Sequence, residues 1–223
     1  VEQLELKNKK INFLGDSITE GVGVSCTENI YLNVMKRELP LAEARNYGIG
    51  GTRIAIQQHP SNPEFDRDFI SRICLMDEDA DIVTVLGGTN DFGHGDAPVG
   101  SWESGERTGN TFCGACRLLA ERLITRFPRS VIVLMTPLHR VCEESPRGDG
   151  SKQTDAAPLS VYVDILRRAA EYYSLPLLDL YSCSGIQPNV PILSELYCPD
   201  GLHPNDAGHR IIASRLEGFL RTL

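Results

Sequence analysis

Ser17 stands two residues past Gly15 in the stretch NFLGDSITEGVG, where an apolar run gives way to a glycine-flanked turn. A serine hydroxyl is a weak nucleophile until a base takes its proton, and the base itself must be oriented. Residue types for those two tasks stand far downstream, in YCPDGLHPND, where Asp200 and His203 lie three apart. A turn at Asp200–Gly201, with His203 extended before Pro204, would let the carboxylate reach one ring nitrogen and leave the other facing outward. Histidine is suited to the task because its reference pKa of ~6.5 lets it accept and return a proton near neutrality. The plainer reading of the same residues is an Asp-Gly turn and a histidine ahead of a helix.

Acyl transfer also builds negative charge on a carbonyl oxygen, so donors aimed at that oxygen are a second requirement. Asn90, in GGTND, carries a neutral amide that can donate; Gly51, in GIGGTR, offers a backbone N–H with no side chain in the way. The N–H of Ser17 is a third donor. Each has a bland alternative, a cap for Asn90 and a turn for Gly51, but their joint occurrence points to a site if the fold gathers them.

Short apolar runs alternate with helical patterns. KINFLG, ARNYGIGG, DIVTVLGG, SVIVLMTP and LPLLDLY read as five strands; residues 29–39, 111–127, 157–173 and 205–223 read as helices. This alternation means βαβ units, hence a parallel sheet with helices on both faces, an α/β three-layer sandwich. No linker tract or repeat divides the chain, so residues 1–223 read as one domain. Ligands in such sheets bind at the carboxyl ends of the strands, which places Ser17, Gly51, Asn90 and the segment TPLHR on one rim.

These blocks, GDSITEG, GIGGTR, GGTND and DGLHP, occur in order along nearly the whole chain, and by them the sequence resembles the GDSL or SGNH hydrolases. Ile18 replaces the leucine of the family's name, a conservative departure. The resemblance implies a flavodoxin-like five-stranded fold and ester or thioester hydrolysis. Ser17 would be the nucleophile, His203 the base and Asp200 its orienter, with Ser17, Gly51 and Asn90 as oxyanion donors. No metal or organic cofactor is required.

Other residues invite functional readings. Asp16, beside the nucleophile, is expected to organise the loop. NDFGHGDAP holds Asp91, His94 and Asp96, which look like metal ligands, but the intervening glycines and the lack of a further histidine argue for a flexible loop; His94 is kept as a substrate contact. Trp102, the single tryptophan, could stack on a sugar or cover the core edge. His139 and Arg140 open a long polar loop, residues 138–155, and could meet the leaving group or belong to a lid. Arg147-Gly148-Asp149 reads as a turn rather than an adhesion motif.

Composition narrows the field. Lys and Arg total 22 against 30 Asp and Glu, a net charge of −8, which argues against nucleic acid or an anionic membrane as partner. No apolar run is long enough to span a bilayer, and the first ten residues lack the h-region of a secretory signal. Seven scattered cysteines fit free thiols in a reducing, cytoplasmic compartment, and Cys113-Gly-Ala-Cys116 lies within a helical pattern rather than at a redox-active turn. The absence of GK[ST] disfavours phosphate binding, and Thr19 breaks G-x-S-x-G. A non-catalytic carbohydrate-binding module is the alternative from another class, and acyl transfer or a lysophospholipase- or thioesterase-type acylhydrolase would use the same machinery. The polar, glycine-rich rim favours short acyl groups, acetyl on a carbohydrate among them.

Overall fold

The computed structural model describes residues 4–154 and 156–223. The first three residues of the N-terminal segment, and Asp155 at the end of the 138–155 loop, lie outside the described residues. In chain order the first elements are β1 (Lys10–Gly15), α1 (Ser17–Glu20), α2 (Tyr31–Glu38), β2 (Glu43–Gly48), α3 (Phe69–Arg72), β3 (Ile82–Leu86) and α4 (Thr89–Gly93). After them come α5 (Phe112–Arg126), β4 (Val131–Met135), α6 (Leu159–Tyr172), β5 (Leu177–Leu178), α7 (Leu180–Cys183), α8 (Pro191–Tyr197) and α9 (Asp206–Leu220).

The strands form one parallel sheet in the order β2-β1-β3-β4-β5. Side chains alternate across it. Val83 and Val85 join a core with Phe112 and Leu119 of α5 and Val163 and Leu166 of α6. Ile82 and Leu86 face the other way, into a core with Leu32 and Met35 of α2 and Ile212 and Leu216 of α9. Two cores on opposite faces make the α/β/α sandwich, and they explain why β3 and β4 are nearly all apolar. The strand order is the flavodoxin-like one, in which the connections reverse between β1 and β3 and open a crevice there.

Two expected strands are shorter than the apolar pattern suggests. LPLLDLY pairs with β4 only through Leu177 and Leu178, because the Asp179 carboxylate then caps α7 and accepts from Thr136 Oγ1 at 2.9 Å. β2 stops at Gly48, and the residues after it turn toward α1. Gly48 is required by close approach: a Cβ there would sit 2.2 Å from the Glu20 nitrogen. The four longer helices match their expected ranges to within three residues at each end. The short helices α1, α3, α4 and α7 leave too little sequence to carry a period and escaped it.

Candidate active site

The rim above the β1–β3 reversal collects the chemistry. Asp16 ends the chain's exit from β1 and caps α1, accepting the Ile18 N–H at 3.1 Å, so Ser17 sits in the first helical turn, 7% exposed. A first-turn N–H has no intrahelical acceptor, which leaves that of Ser17 available. The Ser17 hydroxyl lies 3.0 Å from His203 Nε2, across 186 residues of sequence. His203 Nδ1 lies 2.7 Å from Asp200 Oδ2, while the other carboxylate oxygen accepts the N–H groups of His203 and Leu202 at 2.7 and 2.8 Å. One carboxylate therefore fixes both the backbone and the ring of His203. Partial burial pushes the Asp200 carboxyl up, but these two N–H groups and the imidazole outweigh it and hold it below the ordinary range. The arrangement can pass a proton from hydroxyl to imidazole and stabilise the charge that results.

Asn90 and Gly51 reach the same rim from neighbouring loops. Asn90, buried in α4, spends one amide hydrogen on Thr52 C=O at 3.0 Å, which leaves the second for a ligand. Gly51 has φ +72°, a left-handed conformation that favours glycine, and the preceding Gly50 donates its N–H to Glu20 Oε2 at 2.8 Å. Asp91 then stitches the two loops together by accepting from the N–H groups of Ile54 and Ala55 at 2.9 and 2.8 Å.

NDFGHGDAP is therefore not the flexible loop its glycines suggest. Its acidic residues are spent on backbone, Asp91 as above and Asp96 on the N–H groups of Gln58 and His59. Among the described residues no cluster of three His, Cys, Asp or Glu could hold a metal. His94 places Nε2 3.0 Å from Gly51 C=O and Nδ1 3.2 Å from the Asp149 carboxylate. It thus clamps three loops at the Gly51 peptide, a positioning arrangement.

The remaining expected contacts turn inward. Trp102 is 8% exposed, with the guanidinium of Arg117 3.7 Å from its ring centroid and Tyr172 edge-on at 5.7 Å. This corrects the sugar-stacking expectation: the indole covers the core edge and its surface is already occupied. Arg140 is buried and donates to Thr89 C=O at 3.1 Å, supporting α4 from below. His139 pairs with Glu143 and packs its ring 3.8 Å from that of Tyr181. Arg147-Gly148-Asp149 is a turn, closed by Gly150 N–H to Arg147 C=O. All seven cysteines are free; Cys113 and Cys116 are buried in α5, and burial pushes both thiols up, away from redox reactivity.

Sequence reasoning passed over Arg72. From α3 it donates to Gly15 C=O, Tyr47 C=O and Thr52 Oγ1 at 3.1, 2.7 and 2.9 Å, tying the ends of β1 and β2 to the Gly51 loop. An arginine closing a one-turn helix among apolar residues gives no local signal of that role.

Two buried titrating groups flank the site with opposite effects. Burial pushes the Asp16 carboxyl up from 3.8 to about 7, and the nearby Asp91 charge adds to the shift against the Ile18 N–H. Burial pushes the His209 imidazole down from 6.5 to about 4; its Nδ1 accepts the Tyr31 N–H at 3.1 Å and ties α9 to α2. Between about 4 and 6.5 the unfolded chain binds more protons at His209, so that residue's share of stability is lost as pH falls, by about 3 kcal/mol. Between 3.8 and about 7 the folded chain binds more protons at Asp16, so its share is lost as pH rises, by about 4 kcal/mol. In urea unfolding at pH 4 and pH 7, Asp16→Asn should therefore gain stability over the unaltered protein as pH rises. His209→Gln should lose ground over the same interval. Parallel curves for all three proteins would refute the assignment.

Residues 13–211 match the model of the GDSL-like lipase/acylhydrolase family. Among curated proteins, none matches the sequence. A solved structure of a protein from Lactobacillus plantarum is 29% identical, covering 97% of this chain and 98% of its own, with a TM-score of 0.81. The fold is shared with an acetyl-xylooligosaccharide esterase mutant from Geobacillus Stearmophilus, at 20% identity, 97% and 96% coverage and a TM-score of 0.63. It is shared also with a carbohydrate acetylesterase family member from Sinorhizobium meliloti, at 18% identity, 96% and 98% coverage and a TM-score of 0.63.

Proposed function

This chain belongs to the GDSL-like lipase/acylhydrolase family, and from that premise we propose that it is a serine-dependent carboxylic ester hydrolase acting on short-chain acyl or acetyl esters, those of carbohydrates among them. The observation that carries the reading is the continuous line from Ser17 Oγ through His203 to Asp200, at 3.0 and 2.7 Å. In this reading His203 takes the Ser17 proton as the hydroxyl attacks the acyl carbon. The N–H groups of Ser17 and Gly51 and the Asn90 amide hold the oxyanion, and His203 protonates the departing alcohol. Water activated by the same imidazole then releases the acid and restores the serine. Every step balances without a cofactor.

The acyl preference rests on the sequence of the rim loops, which is rich in polar residues and glycine. The seven free cysteines fit the reducing, cytoplasmic setting that belongs to the same proposal. No helix among the described residues is long and apolar enough to cross a membrane.

A fluorophosphonate should add one phosphonyl group to the peptide containing Ser17 and stop hydrolysis of p-nitrophenyl acetate. Labelling elsewhere with full inhibition would refute the nucleophile. Across p-nitrophenyl esters of rising length, kcat/KM should peak at the short end, and an optimum on long chains would refute the short-acyl preference. Asn90→Ala should lower kcat by ~10²–10³, as loss of one oxyanion donor does. A loss below about threefold would remove it from that role.

A further inference from the structure

A cavity of about 750 Å³ opens beside the oxyanion loop, walled by the segments 53–65, 94–96 and 149–154. Gly50 and Gly51 lead from Ser17 to its wall. A Cβ on Gly50 would lie 3.7 Å from Ser17 Cβ, and a Cβ on Gly51 would lie 2.7 Å from the ring of Phe65, which lines the cavity. His94, another lining residue, holds the Gly51 carbonyl. Resting on the ester-hydrolase reading above, we propose that this cavity is the subsite for the alcohol half of the ester, that this half is a neutral pyranose sugar, and that Phe65 is the surface on which the sugar ring stacks.

Two cations, Arg53 and Lys152, stand against two carboxylates, Asp96 and Asp149. Each is already committed within the protein: Arg53 to Asp66, Lys152 to Asp91 C=O, Asp96 to His59 and Asp149 to His94. A charged ligand would compete with these hydrogen bonds, whereas a neutral, hydroxyl-rich one needs no counter-charge. The uncharged polar groups Ser61, Asn62, Gln153 and Thr154 suit hydroxyls, and no large aliphatic side chain lines the cavity to hold an acyl tail.

Phe65 supplies the second requirement of a sugar site, an apolar plane against which the C–H face of a pyranose can lie. The residue is 41% exposed although one part of its ring rests on Gly51. The loop bearing it is held before any ligand arrives. Arg53 donates to Phe65 C=O at 3.1 Å, and the Asp66 carboxylate accepts from Ser61 N and Oγ at 2.8 and 2.9 Å. Such preorganisation lowers the cost of binding.

The test compares acetylated xylobiose with p-nitrophenyl acetate, reading the ratio of their kcat/KM values so that any general change in activity cancels. Phe65→Leu keeps an apolar group against Gly51 and removes the aromatic plane; it should lower the ratio about tenfold through KM for the sugar ester, whereas Phe65→Trp should hold it within about threefold. Gln153→Ala, from the other loop, should lower the same ratio and serves if Phe65→Leu does not fold. An unchanged ratio in Phe65→Leu, or in Gln153→Ala where it stands in, overturns the proposal. So does Ser17-dependent cleavage of p-nitrophenyl acetate with no cleavage of acetylated xylobiose, which leaves the ester-hydrolase reading standing. Hydrolysis persisting undiminished in Ser17→Ala would overturn both.

Discussion

Ser17→Ala should lower kcat for acetyl-ester hydrolysis by ~10⁶, and His203→Ala should cost about the same. The double variant should lose no more than either single one. The reason is the 3.0 Å contact between the hydroxyl and Nε2. Without the base the hydroxyl keeps its proton, and without the hydroxyl the base has nothing to activate, so the pair acts as a unit. A residual rate of ~10³ over water should survive in all three, carried by substrate binding and the oxyanion donors. The check is kcat by stopped assay at high enzyme concentration, with circular dichroism to confirm folding. Additive losses, with the double variant slower by the product of the singles, would mean that the two residues act separately and would end the nucleophile–base assignment.

Asp200→Asn should cost roughly 10³ in kcat, less than the ~10⁴ of a buried triad aspartate. The substitution leaves the size of the group unchanged but takes away the charge that fixes the His203 tautomer. It also weakens the acceptor that takes the N–H groups of His203 and Leu202. The loss is reduced because the Asp200 side chain is 54% exposed, so water screens the charge and can take over part of the Nδ1 hydrogen bond. KM should change little, since Asp200 acts through His203. A loss below tenfold would show that backbone geometry alone orients the ring, and a rise in KM matching the fall in kcat/KM would move Asp200 into substrate binding.

Much of the fold was legible because burial leaves a periodic trace. Ile82–Leu86 and Val131–Met135 are nearly all apolar since helices cover both faces, and α5, α6 and α9 are long enough to repeat their apolar stripe. The one-turn helices were not legible, because four or five residues do not complete a pattern. Glycine content also misled in one place. In NDFGHGDAP it suggested mobility, whereas the buried Asp91 and the His94 clamp make this segment the fixed support of Gly51. Trp102 and Phe65 show the same limit from opposite sides. Nothing local tells an aromatic ring capped by Arg117 from one left open over a glycine; that depends on what the fold brings against each face.

By itself the sequence determined the residue types for acyl chemistry, their order along the chain and the alternation that builds a parallel sheet. Tertiary structure alone decided that α9's leading loop carries His203 to Ser17, and which polar side chains face a ligand rather than the backbone. Strands and helices are set by neighbours a few residues apart, and those forces act locally enough to be read in one dimension. A contact across 186 residues depends on how two cores pack on one sheet, and no short window of sequence contains that sum.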